Sequence, residues 1–283
     1  MELTYEAREG GRLSRVLRVE MGLSEGLINR LKWSGALLVG GQPRHTDYPV
    51  LPGDTVTVHL EEPAPEYPAE DGNLSIVYED DWLLAVDKPA GMLIHPSRAR
   101  NTGTLANLAA GYYRRTGQCC AFHPLTRLDR DTFGIVLLAK NTYACARLQA
   151  TGFQKTYEAL TFGGPKEDTG VIDAPIARKP LPSLLREIRP DGKESVTRYR
   201  VLHRGSPVCK LSLEPVTGRT HQLRLHCAYM GFPILGDPQY GSQRSTAFSA
   251  ALGIKTQLLL AKRLEFTHPV TGEPMVLESG YRL

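Results

Sequence analysis

Cysteine is scarce in this chain, and the few present form no pattern. Cys119, Cys120, Cys145, Cys209 and Cys227 are odd in number and irregular in spacing, which argues against a disulfide framework. No C-x-x-C pair occurs, so no structural zinc site is expected. No apolar run approaches the roughly 18 residues that span a bilayer. The opening stretch Met1 to Gly10 carries Glu2, Glu6 and Glu9 where a secretory signal would be apolar. P-loop and G-x-G-x-x-G fingerprints are missing, and with them the usual sequence signs of a nucleotide cofactor. Internal repeats and low-complexity tracts are missing too. A strong charge excess is also lacking: the net charge is only +4 and the sequence pI about 8.8, which permits a polyanionic partner without demanding one. These absences point to a protein of the reducing cytoplasm, with no membrane partner.

What is present suffices for a folded protein of two domains. The chain has 283 residues, of which 41% are hydrophobic and 23% charged, ordinary values for a globular protein that builds its core without staples. The clearest boundary is Glu61 to Gly72, where three prolines and five acidic residues stand with almost no apolar content. It reads as a stiff, solvated linker. The expected division is a first unit over 1–62, a linker over 63–72 and a larger unit over 73–283.

In the first unit Leu13, Val16 and Leu17 fall on one helical face that Gly22 ends, and Ser24 is the N-cap of a second helix buried through Leu27, Ile28 and Leu31. Leu37 to Val39 reads as a strand closed by the turn at Gly40-Gly41, and Val56, Val58 and Leu60 alternate as a strand does. Between Gly11 and Arg44 the charge is uneven: Arg12, Arg15, Arg18, Arg30, Lys32 and Arg44 stand against Glu20 and Glu25. They are either solvated helix faces or a surface that tracks phosphates by counterion release. The order of pieces, from Arg12-Leu13 through Asn29-Arg30-Leu31 and Gly35 to Gly41 to Leu51-Pro52-Gly53-Asp54, resembles the αL RNA-binding domain named for ribosomal small-subunit protein four. That resemblance, over about residues 11–60, implies RNA contacts at Arg12, Arg30 and Lys32.

In the larger unit, strands are expected at Leu74 to Tyr78, Trp82 to Asp87, Ile135 to Ala139, Thr156 to Phe162, Ser195 to Leu202, Val208 to Leu213 and Gln257 to Ala261, with a helix at Leu105 to Tyr113. Strands with a few helices between them give an α+β class with a mixed, mainly antiparallel sheet. The most informative stretch is His123 to Gly134, where charged residues crowd before the apolar run Ile135 to Ala139. An extended backbone there sends Arg127 and Asp129 to one side and Arg130 to the other. A carboxylate beside guanidinium groups keeps its charge and can act as a nucleophile or stabilise a cation-like sugar centre; the same residues could equally be a salt-bridge cluster capping a strand. Thr217 to His226 supplies further donors in Arg219, His221, Gln222, Arg224 and His226. The offset of His221 from His226 and Cys227 suits neither helical nor strand chelation, so no metal is expected. Arg178 to Arg200 adds seven basic residues against Glu187, Asp191 and Glu194.

Four blocks in this unit stand in an order and spacing that resemble the RluA family of pseudouridine synthases. They are Tyr78 to Met92 with His95-Pro96; Arg127-Leu128-Asp129-Arg130-Asp131-Thr132-Phe133-Gly134; Lys155-Thr156-Tyr157-Glu158-Ala159-Leu160; and Gly218 to Arg224 followed by Gly231 to Asp237 and Tyr240-Gly241. The resemblance spans about residues 74–282, and Phe133 departs from it, standing where the family usually has serine, beside Asp129. It implies an RNA pseudouridine synthase, an isomerase without cofactor, that acts as a monomer on ribosomal or transfer RNA with no obligatory protein partner. Ribosomal RNA is favoured by the first unit. By the same resemblance Asp129 is the catalytic carboxylate, Arg224 its partner, and Tyr157 the ring that stacks on the target base and assists proton removal at C5. Arg127 helps displace the nucleotide, and Lys88, Arg219 and His221 contact substrate. Two other readings compete: a non-catalytic RNA-binding or ribosome-assembly factor, and a glycoside hydrolase pairing Asp129 with Glu158 or Asp131.

Overall fold

The computed structural model describes residues 1–61, 67–97, 100–180, 182–183 and 185–283. Residues 63–66 of the expected linker lie outside the described residues.

The fold is built on the apolar run before which the charged loop stands. The strand Phe133–Ala139 is buried on both faces because its side chains alternate between two cores. Val136 and Leu138 point into one core, with Leu105, Ala106, Ala109 and Tyr113 of the helix Leu105–Arg115. Ile135, Leu137 and Ala139 point into the other, with Ala144 and Leu148 of the helix Thr142–Thr151 and with Leu264, Phe266 and Leu277. Both helices open on side-chain caps, Thr104 in a reciprocal box with Asn107, and Asn141 accepting from the Ala144 amide.

Around this strand runs a ten-stranded sheet. Its main path is Thr169–Asp173, Val196–Arg204, Val208–Pro215, Gln154–Phe162, Leu259–Thr267, Phe133–Ala139, Leu83–Lys88 and Ile76–Glu79, with Pro274–Glu278 on Leu259–Thr267 and His123–Pro124 on Phe133–Ala139. Pairing is antiparallel except where Phe133 and Gly134 lie parallel to Leu260 and Ala261. The class is α+β with a mixed, mainly antiparallel sheet. At the parallel contact Gly134 has φ +107°, and a Cβ there would collide with the Ala261 carbonyl oxygen, so this position demands glycine.

The N-terminal residues build a separate sheet of four strands, in the order Glu2–Glu6, Thr55–His59, Leu37–Val39, Gln42–Pro43. A helical turn Leu13–Arg15 runs on as a π-helix over Val16–Glu20, and the helix Glu25–Leu31 follows with the Ser24 hydroxyl accepting from the Leu27 amide. Leu13, Val16, Leu17, Leu27, Ile28 and Leu31 close over Val56 and Val58. The first strand was not expected, because Leu3 is its one fully buried side chain.

The two parts touch directly. Tyr143 inserts its ring into the N-terminal core and donates its hydroxyl to the Met21 carbonyl at 2.8 Å, and Arg30 reaches the Thr142 hydroxyl at 3.1 Å. Residues 67–72, expected as part of a stiff, solvated linker, lie along the helix Leu105–Arg115. Glu70 accepts from the Gly103 amide at 2.8 Å, and its own amide donates to the Asn107 carbonyl at 3.0 Å. Asp71 pairs with Arg114 and Arg115. Polar side chains that look solvating in sequence are consumed here in capping and pairing.

Candidate active site

A cleft of about 530 Å³ opens where three segments converge: the loop before Phe133, the start of the strand Gln154–Phe162, and the approach to the helix Gln222–Tyr229. Asp129 is the single acidic residue among its described lining residues, which include Arg127, Lys155, Tyr157, Arg219, His221 and Arg224. The Asp129 side chain is 28% exposed, whereas that of Arg224 is 4% exposed.

Arg224 is the fixed element. Its Nη1 donates to Asp129 Oδ2 at 2.9 Å, while Nε and Nη2 grip the two carboxylate oxygens of Asp237 at 2.7 and 2.8 Å. Nη2 also donates to Gln239 Oε1 at 2.8 Å, and the Tyr240 ring lies 5.2 Å from the guanidinium carbon. Fork-to-fork pairing fixes a guanidinium in plane as well as in distance. Burial opposes the charge on Arg224, but the hydrogen bonds and charges of Asp237 and then Asp129 outweigh it, so the pKa is raised. Asp237 is itself pinned, its Oδ1 accepting from the Gln239 and Tyr240 amides. It ends the stretch Gly231 to Asp237, and its one sequence signal is that this stretch belongs with the Gly218 to Arg224 stretch in the fourth block.

The loop bearing Asp129 is not extended. It turns at Arg130 and Asp131, with the Thr132 amide donating to the Asp129 carbonyl at 3.2 Å. Arg127 and Asp129 nevertheless both line the cleft, while Arg130 bridges the carboxylate of Asp131. Phe133, which stands where the family usually has serine, does not line the cleft; its ring meets Tyr281 edge-on at 5.6 Å.

Lys88 corrects another expectation. It is fully buried, and its three ammonium donors are spent on the carbonyls of Pro89, Met92 and Arg130, each at 2.9 Å. Burial pulls its pKa down to about 8 against the attraction of Asp131 and Asp129. With no donor left for a ligand, Lys88 ties the strand Leu83–Lys88 to the Asp129 loop instead of meeting substrate.

Tyr157 is 9% exposed at the cleft wall, and burial, reinforced by the charge of Asp129, raises its pKa. His221 caps the helix Gln222–Tyr229 from a left-handed conformation, φ 59°, the one non-glycine case among the described residues. Strain of that kind persists where surrounding contacts impose it. Here Tyr240 meets Nδ1 at 2.9 Å, and Nε2 lies 3.9 Å from Asp129. Burial lowers the His221 pKa, Asp129 pulling the other way and Arg224 adding to the lowering. Gln222, also unassigned from sequence, holds the loop by accepting from the Thr217 hydroxyl and the Arg219 amide and donating to Val196 and Thr197.

Arg219 is exposed at the rim and donates to the Glu194 carbonyl. His226 does not face the cleft: it is buried against the Thr197 hydroxyl and the Ala174 carbonyl. Among the described residues no group of histidine, cysteine and acidic side chains could hold a metal ion, and no helix is long and apolar enough to cross a membrane. Arg12 and Lys32 lie on the N-terminal unit, away from the cleft lining, and Arg30 sits at the seam with Thr142.

Known proteins resemble this arrangement. The model of a family described as RNA pseudouridylate synthase matches residues 82–229. An uncharacterised RNA pseudouridine synthase of Bacillus subtilis, YlyB, is 38% identical over 253 residues, which are 87% of this chain and 82% of the relative. Ribosomal large subunit pseudouridine synthase C of Vibrio cholerae is 33% identical over 97% of this chain and 90% of its own. The solved structure of human RNA pseudouridylate synthase domain containing 1 superposes with a TM-score of 0.60 at 28% identity, over 75% of this chain and 86% of that one. Relatives matched along nearly their whole length, and a sheet shared with a solved member, carry the four sequence blocks to one conclusion: this chain belongs to the RNA pseudouridylate synthase family, of the RluA type.

Proposed function

We propose that this protein isomerises specific uridines of structured RNA to pseudouridine in the cytoplasm, with Asp129 as the catalytic carboxylate. The observation that carries the reading is the Asp129–Arg224 contact at 2.9 Å inside a cleft whose other charged lining residues are basic or histidine. A carboxylate held this way faces the sugar of an extruded nucleotide while the N1–C1′ bond breaks and the C5–C1′ bond forms. The base stays in the pocket, so no external nucleophile or redox partner enters. Arg127 at the rim helps to displace the nucleotide, whose atoms are out of reach while it is stacked, and Arg219 and His221 contact the phosphate backbone.

Tyr157 stacks on the detached base. With its pKa raised by burial and by Asp129, it is a neutral phenol at neutral pH. It therefore assists removal of the C5 proton by relay, passing its own proton on as it accepts another.

Paired-acid glycoside hydrolysis is disfavoured. It needs a second carboxylate across the bond, yet Glu158 is paired with Lys210 at 2.8 Å and Asp131 is bridged by Arg130 at 2.9 Å. A non-catalytic clamp gives no reason for a buried arginine to present one free edge to a cleft acid.

Ribosomal RNA is the favoured substrate over transfer RNA, since relatives such as the Vibrio cholerae protein are named for the large ribosomal subunit. The N-terminal unit holds that RNA through Arg12, Arg30 and Lys32, as an αL domain would, and the protein works as a monomer. The test is tritium release from C5-labelled uridine in cellular RNA incubated with the purified protein, followed by mapping pseudouridine in cells with and without it. No release from any RNA fraction overturns the reading.

A further inference from the structure

The N-terminal unit carries an exposed aromatic platform that neither the core nor the cleft uses. Trp33, just beyond the helix Glu25–Leu31, is 77% exposed, the most open of the large hydrophobic side chains described. Its ring lies 4.4 Å from that of His45, with planes inclined at 43°. Lys32 places its ammonium 5.9 Å from the same ring, and next to His45 the Arg44 guanidinium lies 4.6 Å from the Tyr48 ring. The 45–48 loop is held in place: Leu13 and Ser14 donate their amides to the Tyr48 and Thr46 carbonyls at 2.8 Å. His45 is oriented by Asp47 at 3.0 Å. Two segments of the unit thus present an open indole with Lys32 at its side and Arg44 next to its ring neighbour His45, on a base held by hydrogen bonds.

The charge at the ring favours an anionic occupant, with Lys32 beside the indole and Arg44 next to His45, against the carboxylate of Asp47. A flat ring with cations nearby offers a nucleobase stacking area and its phosphate a counter-charge, and such stacking tolerates any base sequence. We propose that Trp33, with Lys32, Arg44 and His45, stacks on an unpaired base of the substrate RNA and holds a bulge or loop remote from the uridine being modified. This rests on the RNA-isomerase reading above and adds a recognition site to it.

The experiment uses the full-length protein and two RNAs, one with an unpaired loop and one a blunt duplex of equal length. Trp33→Ala should raise KM for the looped RNA about tenfold with kcat unchanged, the order of one lost base stack, and Trp33→Tyr should keep most of the affinity. Looped RNA should quench tryptophan fluorescence of the wild type strongly and of Trp33→Tyr weakly, because Trp82 is the one tryptophan remaining. Equal KM in Trp33→Ala, or equal quenching in both proteins, overturns the proposal. Equal quenching by the blunt duplex also overturns it, since it would mean a phosphate contact; so would self-association that Trp33→Ala abolishes without change in RNA affinity. Because quenching reads binding alone, a wild type that binds but forms no pseudouridine refutes the catalytic reading and leaves the platform standing.

Discussion

Arg224 gives Asp129 one hydrogen bond and Asp237 two. The guanidinium is therefore held by a carboxylate that does not reach the cleft and aimed at one that does. Removing the cleft acid and removing the anchoring acid should have different signatures.

Asp129→Asn keeps the side-chain shape and removes its charge. Tritium release from labelled RNA should fall by at least roughly a thousandfold, within the range lost with a positioned acid or base, while RNA affinity and melting temperature change little. Activity within tenfold of wild type would remove Asp129 from the chemistry.

Asp237→Asn leaves a buried guanidinium without its fork. Breaking a buried pair on one side costs about 3–5 kcal/mol, so thermal unfolding should drop by several degrees. The kcat should also fall while KM holds, because Arg224 would no longer be aimed. Stability loss with unchanged kcat would make Asp237 a purely structural residue.

Gly134→Ala puts a Cβ against the Ala261 carbonyl at φ +107°. Strained backbone of this kind costs about 1–3 kcal/mol, and crowding adds a similar amount. The urea midpoint should fall accordingly, and a stability equal to wild type would show that the parallel contact gives way freely.

Acidification should destabilise the fold through the buried His226 and, to a lesser degree, through the half-buried His221 and the more exposed His95. His95, His221 and His226 all have pKa values lowered from 6.5, in each case chiefly by burial. The unfolded chain then binds more protons than the fold as pH falls below about 6.5, so stability present above that pH is lost below it. His226, with both ring nitrogens engaged, is the clearest case. Melting temperature should fall from pH 7 to pH 5, and His226→Gln should flatten part of that slope; a flat profile in the wild type would contradict the sign.

Arg12→Gln with Lys32→Gln should weaken RNA binding at low salt and reduce the slope of log K against log salt by about two. The kcat on saturating RNA should not change. An unaltered slope would take the N-terminal unit out of the RNA contact.

The sequence made legible what is local. Ile135 to Ala139 announced a doubly buried strand because every residue in it is apolar, and Ser24 announced its helix because a cap acts within one turn. What escaped is long-range or short of apolar residues. Lys88 looked like a cation available to substrate, and nothing nearby in sequence shows that the Arg130 carbonyl takes one of its protons. The strand expected at Gln257 to Ala261 runs instead over Leu259–Thr267, because Lys262, Arg263 and Glu265 disguise the alternating burial of Leu264 and Phe266. Asp129, Tyr157 and Arg224, singled out by their motifs, all line one cleft, whereas the Arg224–Asp237 lock depends on geometry that spacing does not encode.

The parallel pairing of Phe133 and Gly134 with Leu260 and Ala261 also bears on when the cleft comes into being. The loop carrying Asp129 leads straight into a strand whose neighbour is made more than a hundred residues later in synthesis. Non-local pairings of this kind form late because loop-closure entropy must be met first. A chain truncated before Leu259 therefore lacks the strand that joins the Asp129 loop to the strand of Tyr157, and no cleft should assemble although Asp129 and Arg224 have already been made.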